Sequence, residues 1–130
     1  MRRLIILVVA LLVAPTAVAY ADGCGTHALG YGQECSSQLS QSSAQARDGS
    51  RIELWQFEGA AGECIAVDMS ASRFTPYLQL IRGTPTGPVV VQGENAIRTT
   101  LPGGGTYYVK ATSAGSGYHP GSYTVKLDRC

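Results

Sequence analysis

Two runs near the end of the chain constrain its fold more than anything else in it. The first is Leu101-Pro102-Gly103-Gly104-Gly105-Thr106-Tyr107-Tyr108-Val109-Lys110-Ala111, and the second is Gly121-Ser122-Tyr123-Thr124-Val125-Lys126-Leu127. Both alternate in character and both open on glycine followed closely by an aromatic. Successive side chains of a strand point to opposite faces, so this pattern predicts half-buried strands of an antiparallel sheet.

The pattern extends upstream. Residues 63–69 alternate cleanly, with Ile65, Val67 and Met69 on one face and Cys64, Ala66 and Asp68 on the other. Residues 96–101 divide Ala96, Arg98 and Thr100 from Ile97, Thr99 and Leu101. Residues 76–82 read as a strand ended by the Gly/Pro loop 83–88, Val89-Val90-Val91 as a short buried strand, and Gly93-Glu94-Asn95 as a turn. Gln38-Leu39-Ser40 reads as an edge strand with Leu39 inward, and Arg47-Asp48-Gly49-Ser50 as a turn. Residues 51–58 are less regular: Ile52 and Leu54 share one parity, Trp55 and Phe57 the other. That requires either a bulge or cover on both faces. About eight short strands follow one another with turn signals between them, and no segment after residue 21 sustains a 3.6-residue period. The expected fold is all-β: an antiparallel β-sandwich, jelly-roll-like.

The first 21 residues read as an export signal. Arg2 and Arg3 precede an apolar run from Leu4 to Ala14, and Ala19-Tyr20-Ala21 fits the cleavage pattern, with cleavage after Ala19 as the alternative. The run is too short to span a hydrocarbon core of ~30 Å. Cys24 lies too far beyond it, behind Asp22, to suit lipid attachment. The expected organisation is a cleaved signal over 1–21, a disulfide-held loop over 22–35 and one sandwich domain over 36–130. Without Arg2 and Arg3 the chain keeps 8 of its 10 basic residues against 9 acidic ones, a net charge of −1. No basic run stands out, which gives nucleic acid binding no electrostatic footing.

All four cysteines, Cys24, Cys35, Cys64 and Cys130, lie beyond the signal. An even count in an exported chain reads as two disulfides. Of three possible pairings, Cys24–Cys35 and Cys64–Cys130 are favoured, the first closing a short N-terminal loop and the second tying the end of the sequence to an internal strand. No C-x-x-C pair occurs and the two histidines are not spaced as co-ligands, so a metal site is not expected.

Residues able to carry chemistry are few. No serine sits in a G-x-S-x-G elbow. His27 and His119 fall in loops and would serve as bases only with a serine and a carboxylate beside them. Glu63 and Asp68 have opposite parity. An enzyme is therefore not expected, and a small hydrolase is kept as a minor alternative. Binding has more support: Tyr108 shares parity with Lys110 and should face outward, whereas Tyr107 and Trp55 should be core. With Tyr118 and His119 on the adjoining loop, Tyr108 and Lys110 are the candidate ligand-binding residues, since an outward tyrosine can stack on a sugar or pack on a fibrous partner.

Five stretches, taken in order, resemble the bacterial pre-peptidase C-terminal domain family. They are Trp55-Gln56-Phe57-Glu58-Gly59, Gly62 to Met69, Phe74 to Leu80, Leu101 to Ala111 and Gly121 to Leu127. The resemblance covers roughly residues 36–128 and implies a free-standing version of a β-sandwich usually appended to secreted peptidases. It departs from the family at Thr75, where an aspartate is common, and at Gly93-Glu94-Asn95, where an Asn/Asp-Asp turn is common. Relatives that bind collagen use clustered carboxylates for calcium. Ca²⁺ takes six to eight oxygens, and only Glu94 and Asn95 stand near that turn, so no cofactor is expected. The resemblance implies a non-catalytic module, periplasmic or extracellular, for a polymer partner (protein or polysaccharide). The alternative is a structural or regulatory partner of another secreted protein such as a peptidase, docking through a sheet face or the edge near Gln38–Ser40.

Overall fold

The computed structural model describes residues 22–130; the expected signal segment lies outside the described residues. A short 3₁₀ turn over Asp22–Thr26 leads into nine strands. These are β1 (Glu34–Leu39), β2 (Ala44–Gln45), β3 (Arg51–Gly59), β4 (Cys64–Ala71), β5 (Pro76–Arg82), β6 (Val89–Glu94), β7 (Ala96–Thr100), β8 (Gly105–Ser113) and β9 (Gly121–Arg129). They form two antiparallel sheets, one in the order β1-β9-β4-β7 and the other β2-β3-β8-β5-β6. With the two-residue β2 set aside, the remaining strands alternate between sheets along the chain except at β5 and β6, which are neighbours in one sheet. Their order is first-eighth-third-sixth in one sheet and second-seventh-fourth-fifth in the other, which is the jelly-roll arrangement of two interleaved Greek keys. β2 is the strand the sequence pattern does not announce, and β1 begins at Glu34, inside the segment expected to be a loop.

The core is the space between the sheets. Ile65, Val67 and Met69 of β4, Leu78 and Leu80 of β5, Tyr107, Val109 and Ala111 of β8, and Tyr123, Val125 and Leu127 of β9 are all buried there. The irregular parity of β3 is resolved by cover on both faces. Its pairing with β8 runs unbroken from Ile52↔Thr112 to Gly59↔Gly105, Trp55 and Phe57 are buried, and Ile52 and Leu54 are half-buried on the outer side. The bulge lies elsewhere, between Leu80 and Ile81 where β5 meets β6. The short strand expected to be buried at Val89-Val90-Val91 is the edge strand β6 instead, with Val89 46% exposed. Three β-branched residues signal a strand without signalling its place in the sheet. Glu94 likewise belongs to β6, and the reversal into β7 is made by Asn95 at φ 67°.

Residues 27–33 tie the two sheets together along one side. The Gln56 amide donates to the His27 carbonyl, the Leu29 amide to the Gln56 carbonyl, both at 2.8 Å, and the Gly32 amide to the Leu127 carbonyl at 2.7 Å. Leu29 enters the core. Disulfides join Cys24 to Cys35 and Cys64 to Cys130. Beside the second bond, Glu63 accepts from the Tyr31 hydroxyl at 2.5 Å and from Arg129 Nε at 2.7 Å, while the Arg129 guanidinium lies 3.8 Å from the Tyr31 ring centre.

Candidate functional site

The outer faces of the two sheets differ in kind. That of the four-stranded sheet carries charges of both signs, Glu34, Lys126, Asp68 and Arg98, among small residues such as Ser70 and Thr124, whose hydroxyls pair at 2.7 Å. It has the character of a solvated surface. That of the five-stranded sheet is laid out in rows by strand register. One row runs Ala44, Ile52, Thr112, Tyr77 and Glu94. The next runs Leu54, Lys110, Gln79 and Gln92. A third runs Gln56, Tyr108, Ile81 and Val89, in which Ile81 is buried although it faces away from the core.

Part of the first two rows forms the floor of a concave groove of about 600 Å³, lined by Ile52, Thr112, Tyr77 and Glu94 from the first and by Lys110 and Gln79 from the second, with Gln92 next to Gln79 outside the lining. This volume lies within the range of ligand sites. The walls are the loop between β2 and β3 and the loop following β8. The first wall is built on an Asx turn, in which Asp48 Oδ1 accepts from the Ser50 hydroxyl at 2.6 Å and the Ser50 amide at 3.0 Å. These bonds hold the Asp48 carboxyl below its usual range, with the Lys110 charge adding to the effect. The second wall is fastened to the first where the Gly117 amide donates to the Asp48 carbonyl at 2.9 Å.

The tyrosines sort by what their hydroxyls do. Tyr31 donates to Glu63, Tyr107 to the Gly103 carbonyl at 2.5 Å, and Tyr123 to Glu53. Among the described residues, the hydroxyls of Tyr77 and Tyr108 have no partner, and neither the Lys110 ammonium nor the Glu94 carboxylate enters an ion pair. Tyr77, Tyr108 and Lys110 are nonetheless half-buried by their neighbours. The structure thus separates tyrosines committed to the fold from tyrosines presented on one sheet face.

Of the four residues singled out from the sequence, Tyr108 and Lys110 lie on this face, in adjacent rows of the central strand. Tyr118 and His119 do not line the groove. Tyr118 lies beneath the Arg51 guanidinium, 5.0 Å from it, and His119 Nε2 donates to the Ser116 carbonyl at 2.9 Å, closing its own loop. Tyr77 was missed by sequence reasoning. Its parity with Gln79 marks it as outward, but only the register places it beside Thr112 and Glu94.

His27 is the other departure from expectation. Its ring lies against Trp55, tilted by 36° with centroids 4.4 Å apart, Nε2 is 3.6 Å from Glu53 Oε2, and its backbone takes φ 57°. Glu53 also receives the Tyr123 hydroxyl, which itself accepts from Trp55 Nε1 at 2.9 Å. Burial, then the hydrogen bond to Glu53, pushes the Tyr123 phenol well above its ordinary range, so it is a neutral donor at every physiological pH. The cluster supplies a carboxylate and an imidazole, and no serine hydroxyl is among the described contacts of His27, so it lacks the nucleophile of a hydrolytic triad. Nor do three or more metal-ligating side chains gather among the described residues.

No family model matches this sequence, and neither does any curated protein. Solved structures do share its fold. The pre-peptidase C-terminal domain of a collagenase from Bacillus anthracis superposes with a TM-score of 0.53 at 15% identity, over 78% of this chain and 92% of that one. PliG of Aeromonas hydrophila, a periplasmic lysozyme inhibitor of g-type lysozyme, does so with a TM-score of 0.52 at 13% identity, over 74% and 85%. At such identities the likeness is one of fold, and it bears out the β-sandwich expected from the alternation.

Proposed function

We propose that this protein is an exported, non-catalytic binding module that holds a polymer partner outside the cytoplasm against the outer face of its five-stranded sheet. The observation that carries the reading is the groove itself: a concave floor with half-buried Tyr77 and Lys110 whose polar groups have no partner within the described chain. Polar groups that the fold does not use, set on a concave floor, are free to bond a ligand. Two disulfides, an apparent signal segment and the fold of a domain from a collagenase and of a periplasmic inhibitor all favour a place outside the cytoplasm.

The test is co-sedimentation of the oxidised mature protein with insoluble collagen, chitin, cellulose and peptidoglycan, comparing wild type with Lys110→Ala. Saturable binding that falls at least fivefold in the variant supports the reading. Binding that ignores the substitution removes the groove from it.

A second reading is favoured by the likeness to PliG, which is named as an inhibitor of another protein. Here the chain would be a partner of a secreted protein such as a peptidase or a lysozyme, and β1, a sheet edge rich in serine and glutamine, would offer the docking strand. A stoichiometric complex recovered from the envelope, lost on placing a proline at Gln38 and kept on altering Lys110, would favour it.

A further inference from the structure

The groove's chemistry is narrower than the polymer-binding reading on which this inference rests. We propose that it is a subsite for a neutral glycan, with a pyranose ring set against Tyr77 and its hydroxyls served by Gln79, Gln92 and Lys110.

Three observations carry this. The first concerns the main chain. The floor lies on β3, β8 and β5, and at these positions each strand has a ladder neighbour on both sides: β2 and β8 for Ile52, β3 and β5 for Lys110, β8 and β6 for Tyr77. Backbone donors and acceptors there are already spent. An extended peptide gains most of its affinity from main-chain bonds at an open edge, and the floor from Ile52 to Tyr77 offers none, the edge being reached only at Glu94 on β6. It offers only side chains.

The second concerns those side chains. Gln79 Nε2 donates to Gln92 Oε1 at 2.8 Å, which fixes both amides and leaves Gln79 Oε1 and Gln92 Nε2 without a partner among the described residues. An acceptor and a donor held side by side match a pair of neighbouring hydroxyls, each of which both donates and accepts. Tyr77 lines the same floor with its hydroxyl unpartnered, and an aromatic ring is the surface on which the C–H face of a sugar packs.

The third concerns charge. The lining holds Arg47 and Lys110 against Asp48 and Glu94, two of each sign. Hydrogen bonds from Ser50 hold the Asp48 carboxyl below its ordinary range and so favour its charged form. The balance gives no attraction for a polyanion and none for a basic peptide, which leaves an uncharged ligand with many hydroxyls as the complementary class.

The test is titration of the isotope-labelled, oxidised mature protein with soluble hexasaccharides of glucose and of N-acetylglucosamine, each β- and α-linked where available, and with a collagen-like peptide. Backbone resonances of Tyr77, Gln79 and Lys110 and the side-chain amides of Gln79 and Gln92 are followed. Saturable shifts at these groups with a saccharide are expected. Tyr77→Ala should weaken that saccharide at least tenfold, and Tyr77→Phe, which keeps the ring, no more than about threefold. Gln79→Ala gives a second variant, expected to weaken binding at least threefold, should Tyr77→Ala fail to fold. Groove shifts with the peptide and with no saccharide overturn the glycan assignment while leaving the groove as a polymer site. Saccharide shifts confined to other surfaces overturn the assignment. No groove shift with any probe overturns it together with the broader reading.

Discussion

The indole of Trp55 donates a 2.9 Å hydrogen bond to the hydroxyl of Tyr123, 68 residues further along the chain and on the opposite sheet. Both residues are buried, and the rings meet edge to face at 6.5 Å. The hydroxyl in turn donates a hydrogen bond to Glu53, which faces His27. A single phenol thereby satisfies one buried donor and one half-buried carboxylate from β3. This fixes the two sheets laterally, a task that apolar packing leaves loosely specified.

Tyr123→Phe removes that hydroxyl and leaves the Trp55 N–H buried and unpaired. Leaving a buried donor unsatisfied costs about 1–3 kcal/mol. The denaturant midpoint should fall accordingly, with the slope unchanged. Trp55 is the sole tryptophan of the chain, so its fluorescence follows the transition without a label. A midpoint equal to wild type would show that water replaces the phenol.

The two disulfides should differ in weight. Cys64–Cys130 closes a separation of 66 residues and Cys24–Cys35 one of 11. On the chain-entropy account these are worth about 4 and about 3 kcal/mol. Replacing the first pair by alanine should lower the thermal midpoint more than replacing the second. The reverse order would mean that residues 22–33 are anchored chiefly through Cys24.

Glu63 gives stability an acid limb. Hydrogen bonds from Tyr31 and then Arg129 hold its carboxyl below the usual range. A depressed carboxylate contributes above its unfolded pKa, and the contribution is lost as pH falls through the folded value. Tyr31 gives an alkaline limb: burial, then Glu63, raises its phenol from 10.0 to about 12. Its contribution is complete below pH 10 and fades as pH approaches about 12. Stability profiles of Glu63→Gln and Tyr31→Phe should each lose one limb. A variant whose profile parallels wild type throughout would remove that residue from the account.

Two glycines separate rigid from yielding surroundings. A Cβ at Gly59 would fall on Leu101 Cδ1, which is buried in the core, whereas one at Gly103 would meet the guanidinium end of Arg82. The core cannot give way and the arginine can swing aside. Gly59→Ala should cost about 1–3 kcal/mol as an overpacked site, and Gly103→Ala clearly less. Chemical denaturation of the two variants compares them directly.

The candidate ligand residues should part company. Tyr118 lies against Arg51 and outside the groove, so Tyr118→Ala should leave polymer binding within twofold of wild type, while Lys110→Ala weakens it at least fivefold. Equal losses in both would place the ligand across the loop.

The inner face of the sandwich was legible because burial on one side of a strand writes itself into the sequence at period two. Ile65, Val67 and Met69, or Tyr107 and Val109, could be assigned from parity alone. The outer face was not legible to the same degree. Tyr108 and Lys110 announce themselves as outward, but their neighbours Gln79 and Leu54 come from strands distant in sequence, and only the register brings them together. Tyr77 reads like any solvent-facing tyrosine until Thr112 and Glu94 stand beside it. His27 gave no signal, since its place on Trp55 depends on a left-handed backbone in a segment without periodicity.

In the sheet β1-β9-β4-β7 no two adjacent strands follow one another in the chain. β9, the last of the described strands, sits between the first and the fourth. β4 and β7 can pair as soon as both are made, but a chain delivered from its amino end leaves β1 without its sheet neighbour until residues 121–129 arrive, and such non-local pairing forms slowly. The two ends of the fold are thus joined last, and on the export proposed above the four-stranded sheet would be completed only once the whole of β9 is available.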